Sequence, residues 1–291
     1  MKNTILILIS AVLLSISGNL YSQGINFRPI SIREGVKLAK AEHKNIFILF
    51  GTTHCGYSQM SFNELYRDKA CGDYFNEHYI NIGYGDSTTV DLKKWYYSDT
   101  RVQYNLMEDE LEAVLCNYFI FPNYFFINKK GEIAYIDAVS QKPEKLLKYA
   151  KLVNKGKVKT PFLFRFKFNN RMYPKNKSTY KMLSHCLKAY VSMNVPHELN
   201  YKNDSIWSMK DFTFINDNLS KAKREIETSL RYHEYYFNCF LASVIYYKSD
   251  DYEKAVYYAR KGLNDFPKHW DASRKLSDKL MKEILLKEKQ H

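Results

Sequence analysis

An uninterrupted apolar run over residues 46–50 (IFILF) constrains the fold more than any other feature of the sequence. A run of strand length that is apolar at every position predicts a strand buried on both faces of a sheet. An amphipathic helix is predicted before it over 31–45, and helical spacing resumes after a short turn over 59–79. A second apolar segment follows at 80–83. This order of helices and strands predicts an α/β sheet with parallel pairing.

The next segments complete one predicted α/β domain. Residues 118–138 read as a strand, a turn around Lys129–Gly131 and a second strand, which together predict an antiparallel hairpin. The amphipathic stretch 142–153 predicts a helix with Pro143 at its start. We therefore expect a central mixed sheet flanked by helices within residues 23–156.

The second half of the chain has a different character. Residues 154–161 are polar with Gly and Pro and indicate a linker, and strand signals then nearly vanish apart from 162–168. We expect a mainly α-helical domain over 157–291. The apolar positions that follow helical spacing are Tyr180, Leu183, Leu187, Tyr190, Val191, Ile226, Leu230, Tyr252, Ala255, Ala259 and Leu263.

One segment of the helical half resembles the tetratricopeptide repeat. The matching positions are Tyr246, Tyr252, Ala255, Gly262, Leu263 and Pro267. A stable solenoid usually needs at least about three units, and only one is clear here. The resemblance implies partner binding. A plain helical domain packed on the α/β domain is the alternative.

The first 22 residues predict a secretory signal peptide. Lys2 supplies a positive start, an apolar run follows, and Ser22 offers a small residue for cleavage. The run is short for a membrane span of about 20 apolar residues. We expect an exported protein, either periplasmic or secreted.

The formal net charge of +13 raises the question of nucleic acid as a partner. The lysines are spread along the chain among acidic residues, and no nucleic-acid-binding signature stands out. The eight histidines are scattered, and no pair has metal-ligand spacing. We therefore expect no nucleic acid, no metal and no cofactor.

Cys55 is the residue best placed for chemistry, since it follows a predicted buried strand and precedes a predicted helix. The N–H groups and dipole of a helix N-terminus stabilise a thiolate, which lowers a thiol pKa and creates a nucleophile. A structural cysteine in an ordinary turn is the alternative interpretation.

Residues 28–153 resemble the thioredoxin family, in particular exported members with a long active-site helix. The resemblance is strongest at Cys55-Gly56, at Pro122 and at Gly131 in the hairpin turn. It implies a cis peptide bond at Phe121–Pro122. It also implies that Phe121, Pro122 and Tyr57 contact an extended substrate chain by strand addition. A strand-edge proline is the alternative reading of Pro122.

Three departures from the family pattern narrow the expected chemistry. Ser58 stands where a resolving cysteine would complete C-x-x-C, and Leu49 stands where the family often buries an acid. Pro122 lies 67 residues after Cys55, a long interval that leaves an extra segment at 86–117. This segment could form a lid or partner surface, or be a passive insertion. A serine hydroxyl does not resolve a mixed disulfide.

Other candidates surround this site in sequence. His54 replaces the family's usual Trp and could favour the Cys55 thiolate, or lie on the surface. Cys116 is an alternative resolving residue, whereas Cys71 is expected to fill a helix core. Cys186 and Cys239 lie on apolar helix faces.

These residues predict monothiol disulfide exchange or isomerisation at Cys55, with Ser58 and His54 in the catalytic turn. The expected partners are protein substrates with thiols or disulfides and an external thiol reductant. The alternative is a non-catalytic thioredoxin-fold binding protein that uses the Pro122 groove and the C-terminal helices.

Overall fold

The computed structural model describes residues 24–28, 30–51, 55–85, 122–138, 142–158, 177–193, 209, 212–214, 218–265 and 281–286. The predicted signal peptide, the segment 86–117, the predicted strand 162–168 and Pro267 lie outside these residues.

A four-stranded mixed sheet forms the centre of the first half. Its strands are β1 (Asn45–Gly51), β2 (Tyr79–Gly85), β3 (Asn123–Ile127) and β4 (Ile133–Ala138), in the order β2-β1-β3-β4. β1 pairs parallel with β2 and antiparallel with β3, and β3 pairs antiparallel with β4. The predicted mixed sheet and its hairpin are confirmed.

Eight helices are named in the described part of the chain. They are α1 (Ile32–Ala41), α2 (Gly56–Arg67), α3 (Lys69–His78), α4 (Pro143–Asn154), α5 (Lys177–Ser192), α6 (Asn218–Tyr232), α7 (Tyr236–Lys248) and α8 (Tyr252–Asp265). Residues 281–286 are also helical. None of the helices in these ranges has the length and apolarity needed to cross a bilayer.

Local sequence explains where several elements begin. The Ser31 side chain accepts a hydrogen bond from the Glu34 N–H and caps α1, and Pro143 opens α4. The single helix predicted over 59–79 is two helices, because the Asp68 carboxylate accepts from the Cys71 N–H at 2.7 Å and starts a new helix. Gly131 takes a φ of +73° in the hairpin turn, a conformation that favours glycine.

Alternate side chains of β1 serve two separate cores, as a strand buried on both faces requires. Phe47 and Leu49 pack with α2, α3 and α4 on one face of the sheet. Ile46, Ile48 and Phe50 pack on the other face, in a cluster that continues through α1 into α5 and the later helices. All five side chains are essentially inaccessible to solvent.

Helix α5 packs directly on the sheet and joins the two halves of the chain. The Ser184 hydroxyl accepts a hydrogen bond from the Ile133 N–H at 3.0 Å. One turn further on, Lys188 Nζ lies 3.5 Å from Glu132 Oε1 beside the hairpin. The division at residue 156 stays a prediction, and the hydrophobic core is continuous across it.

The described part of the second half is helical, and α7 and α8 form a closely packed pair. The two helices come into close contact at Gly262. A Cβ at this position would lie 3.3 Å from the Tyr236 carbonyl oxygen and 2.7 Å from Met281 Cε. The rings of Tyr246 and Tyr258 stack across the pair at 5.6 Å. The tetratricopeptide likeness of this pair stays a prediction.

Candidate thiol site

Cys55 is the residue that starts α2, four positions after β1 ends. Its backbone is extended (φ −104°, ψ 112°), its carbonyl accepts from the Gln59 N–H at 3.1 Å, and its side chain is half-buried. The first turn of α2 contains no acidic residue. The positive end of the helix dipole therefore acts on Cys55 without a competing side-chain charge from that turn.

Ser58 lies in the first turn of α2 and is completely buried. It packs against Gly51, where an added Cβ would stand 3.1 Å from Ser58 Cβ and 3.2 Å from Ser58 Oγ. Ser58 therefore faces the end of β1, where a side chain at position 51 would have no room.

Pro122 is buried and leads directly into β3. The last antiparallel pair joins Phe50 to Asn123, so the register extended by one position sets Pro122 beside Gly51. Cys55, Ser58 and Pro122 therefore belong to the same end of the sheet. Phe121 lies outside the described residues, and the cis form of its peptide bond stays a prediction.

Two large side chains of α2 project into solvent next to Cys55. Tyr57 is 61% exposed and Met60 is 52% exposed. Residues three apart in a helix share a face, so the two form one apolar surface beside the thiol. Tyr57 was predicted to contact substrate. Met60 was missed, although an apolar residue three positions after Tyr57 was a signal for it.

Leu49 is fully buried in the core between β1 and the helices α2 to α4. At the second turn of α2, the Tyr124 hydroxyl donates to Ser61 Oγ at 2.9 Å, and both residues are buried. Sequence reasoning missed this pair, because only the tertiary fold brings β3 under α2. The pair ties the helix that carries Cys55 to the strand that follows Pro122.

The other described cysteines are buried in the core, and none of the four forms a disulfide with another. Cys71 Sγ donates to the Pro143 carbonyl oxygen at 3.3 Å, and burial raises the pKa of this thiol far above its ordinary value. Burial likewise raises the pKa of Cys186, and that of Cys239 to about 12. These thiols stay protonated at neutral pH. His54 and Cys116 lie outside the described residues.

In the part of the chain that the structure describes, no group of three or more His, Cys, Asp or Glu side chains could hold a metal ion.

No known protein family matches the chain, and no curated protein matches it. Several solved structures resemble it in part. One is the solution structure of a protein from Bacteroides thetaiotaomicron that is proposed to be a disulphide isomerase. It is 28% identical, covers 45% of this chain and 93% of its own, and has a TM-score of 0.32.

Another solved structure that resembles the chain in part is the DsbH oxidoreductase, at 15% identity and a TM-score of 0.31. It covers 45% of this chain and 86% of its own. TM-scores of this size do not establish a shared fold. The fold described above therefore rests on the strand order of the sheet and on the position of Cys55 between β1 and α2.

Proposed function

We propose that this protein exchanges disulfides with protein substrates through the single thiol of Cys55. One observation carries the proposal: Cys55 is half-buried at the start of α2, whereas Ser58, in the resolving position, is buried and has no thiol. The strand register supports the proposal, because extended by one position it sets Pro122 beside Gly51, at the end of β1 that leads to Cys55.

The proposed reaction is a balanced thiol–disulfide exchange. The Cys55 thiol loses its proton to solvent, and the thiolate attacks one sulfur of a substrate disulfide. A Cys55–substrate disulfide forms, and the second substrate sulfur leaves as a thiolate. Attack by another substrate thiol then frees Cys55 and leaves a rearranged disulfide, so no net oxidation occurs.

Release through an external thiol gives a different outcome. A small thiol attacks the mixed disulfide, the substrate leaves reduced at that sulfur, and Cys55 becomes joined to the small thiol. A second molecule of this reductant attacks that disulfide, which frees the Cys55 thiolate and releases the oxidised disulfide of the two small thiols. The buried Ser58 hydroxyl takes no part in either release, because it is not a nucleophile toward sulfur at neutral pH.

The surface beside Cys55 fits an extended protein substrate. Phe121 and Pro122 would supply backbone pairing, and Tyr57 would supply an exposed aromatic contact. An exported location, periplasmic or secreted, fits the reaction, because disulfides persist in oxidising compartments.

Reactivation of a protein with scrambled disulfides, in a glutathione buffer, tests the proposal. The unmodified protein should accelerate this reactivation. We expect Cys55→Ala to abolish the acceleration, and Cys186→Ala, which removes a thiol from the helical core, to retain it. Mass spectrometry after an acid quench should show a substrate adduct on Cys55. Equal activity of Cys55→Ala and the unmodified protein would contradict exchange at this residue.

Non-catalytic binding is the second candidate, and the exposed Tyr57–Met60 surface favours it. A binding protein would hold an unfolded client equally well with and without the thiol. If Cys55→Ser retains client affinity and Tyr57→Ser loses it, while no Cys55 adduct forms, binding replaces exchange as the function.

A further inference from the structure

Five exposed lysines lie at the end of the sheet opposite Cys55. They come from the turn between β3 and β4 and from the C-terminal end of α4, and we call them the basic end: Lys129, Lys130, Lys151, Lys155 and Lys157. β1 begins beside this group at Asn45 and ends at Gly51, four positions before Cys55. Seven strand residues span about 20 Å, so the basic end is well separated from the candidate thiol site.

One buried side chain joins the two parts of the basic end. Asn45 is only 2% exposed. Its Oδ1 accepts from the Lys129 N–H at 3.0 Å, and its Nδ2 donates to Asn154 Oδ1 at 3.1 Å. The hairpin turn and the last residue of α4 therefore contact the same amide group. The lysines of both parts belong to one surface.

The chain turns back at the end of α4 and leaves this surface open. Gly156 takes a φ of +63°, and its N–H donates to the Val153 carbonyl oxygen at 2.9 Å. The Lys157 N–H donates to the Leu152 carbonyl oxygen, also at 2.9 Å. This is the hydrogen bonding of a glycine C-cap. An added Cβ at Gly156 would meet nothing within 4 Å, so Lys155 and Lys157 flank an exposed turn with free space around it.

The carboxylates beside the hairpin turn and before β1 have cations of their own. Glu132 accepts from Asn128 Nδ2 at 3.0 Å and lies 3.5 Å from Lys188 Nζ. Glu42 lies 2.9 Å from Lys44 Nζ. Neither carboxylate is therefore available to neutralise the basic end.

The exposed acidic residues of α3 and α4 do not balance five lysines. Glu144 lies in the first turn of α4, about 16 Å along the helix from Lys155. Asp73 pairs with Lys69 at 2.7 Å. The side chain of Glu77 is 73% exposed on the last turn of α3. Its single charge leaves the basic end with a large positive excess.

The dipole of α4 accounts for only part of this charge. Lys151 and Lys155 stabilise the negative end of the helix dipole. Lys129 and Lys130 lie in a hairpin turn, and Lys157 lies beyond the helix, so the dipole does not require them. These three exposed cations are the part of the basic end that indicates an anionic partner.

We propose that the basic end docks this protein on a membrane surface that contains anionic phospholipids. Each lysine near such a surface strengthens binding about fivefold, and the attraction is summed over all five. Docking in this way would turn Cys55 and Tyr57 away from the bilayer and leave them open to substrates. The inference does not depend on the proposed exchange reaction, because the two use opposite ends of the sheet.

A plane of headgroups fits the basic end better than a single carboxylate or phosphate group does. Recognition of one such group favours the planar fork of arginine, and all five residues here are lysines. A lysine ammonium is a compact charge on a flexible stem, and each of these stems is exposed. The negative end of the α4 dipole also disfavours a lone anion bound at that helix end.

The test is sedimentation of the full chain with vesicles of phosphatidylcholine, alone or mixed with phosphatidylglycerol. We expect binding to the mixed vesicles only, and binding that weakens with added salt. Lys130→Gln and Lys155→Gln should each weaken it about fivefold. Lys155→Arg retains the charge and should retain the affinity. Lys221→Gln, which removes an exposed cation from α6, should leave the affinity unchanged.

Alkylation in the presence of the mixed vesicles tests the orientation. The vesicles should slow the reaction of maleimide with the thiol introduced by Lys130→Cys and leave the rate at Cys55 unchanged. Cys55→Ala should bind the vesicles as tightly as the unmodified protein does. Loss of exchange activity and loss of docking are therefore distinguishable.

Several outcomes would overturn the docking surface. They are equal binding to neutral and anionic vesicles, no binding to either, and a loss for Lys221→Gln as large as that for Lys155→Gln. Binding to polyglutamate or to single-stranded DNA without binding to vesicles would replace the membrane with another anionic partner. Protection of Cys55 by the vesicles would overturn the orientation.

Discussion

Ser58 packs against Gly51, so the first turn of α2 rests on the end of β1 where a side chain on Gly51 has no room. An added Cβ would lie 3.1 Å from Ser58 Cβ and 2.7 Å from the buried ring of Phe62. This close contact sets the position of α2 relative to β1. It thereby sets the position of Cys55, which begins that helix.

Gly51→Ala is expected to destabilise the protein by about 1–3 kcal/mol, because the methyl group overpacks a site with no free volume. Chemical denaturation measures the change. Gly56→Ala is the matched control, since an added Cβ at Gly56 meets nothing within 4 Å and alanine favours a helix. Equal effects of the two substitutions would contradict the proposed contact.

Ser58→Cys is expected to convert the site to a dithiol. The new side chain would lie in the same helical turn as Cys55, so oxidised glutathione should close an intramolecular disulfide between them. Thiol titration after removal of the oxidant should then show two fewer thiols than before oxidation. Ser61→Cys, a buried position beside Tyr124, should form no such bond with Cys55. Retention of both thiols in Ser58→Cys would show that the two sulfurs do not meet.

Alkylation should distinguish Cys55 from the other described cysteines. Cys71, Cys186 and Cys239 are buried with raised pKa values, so little thiolate is present and reagents have no access. We expect a maleimide or iodoacetamide to modify Cys55 before Cys71, Cys186 and Cys239 in the folded protein, and all five cysteines of the chain after denaturation. Peptide mapping by mass spectrometry reads the order. Rapid native modification of Cys239 would contradict its burial.

The buried thiol of Cys239 is expected to make the folded protein less stable at alkaline pH. Burial raises its pKa from an ordinary value of 9.0 to about 12, so the folded protein binds this proton more tightly than the unfolded chain does. The protonated Cys239 thiol therefore contributes to the free energy of unfolding in full below pH 9. This contribution is lost as the pH rises toward 12, because only the unfolded chain releases the proton in that range. Cys239→Ala should make the free energy of unfolding less dependent on pH between these values. An unchanged slope would contradict the assignment.

Ser184→Ala should weaken the contact between α5 and the sheet. The substitution leaves the buried Ile133 N–H without its acceptor, which costs about 1–3 kcal/mol of unfolding free energy. Ser192→Ala on the same helix is the control, because the Ser192 hydroxyl donates to the Lys188 carbonyl within α5 itself. We expect the control to change stability by about 0.5 kcal/mol or less.

Much of the first half could be predicted because its signals are local. The continuous apolar run of β1, the Pro at the start of α4 and the Gly at the hairpin turn each act within a few residues. The break between α2 and α3 was missed, although Asp68 is a common N-cap residue. The helical spacing of apolar residues continues across Asp68, so the sequence pattern alone did not indicate that one helix ends and another begins there.

The sequence by itself determined that Cys55 follows a buried strand, that a serine stands three residues after Cys55, and that the second half is rich in helices. Only the tertiary structure decided that Ser58 faces Gly51, that Tyr124 bonds Ser61, and that Arg33 of α1 meets Tyr190 of α5. The physical reason is the distance along the chain over which each interaction acts. Periodicity and capping act within a few residues, whereas packing and buried charge depend on side chains brought together from distant parts of the chain.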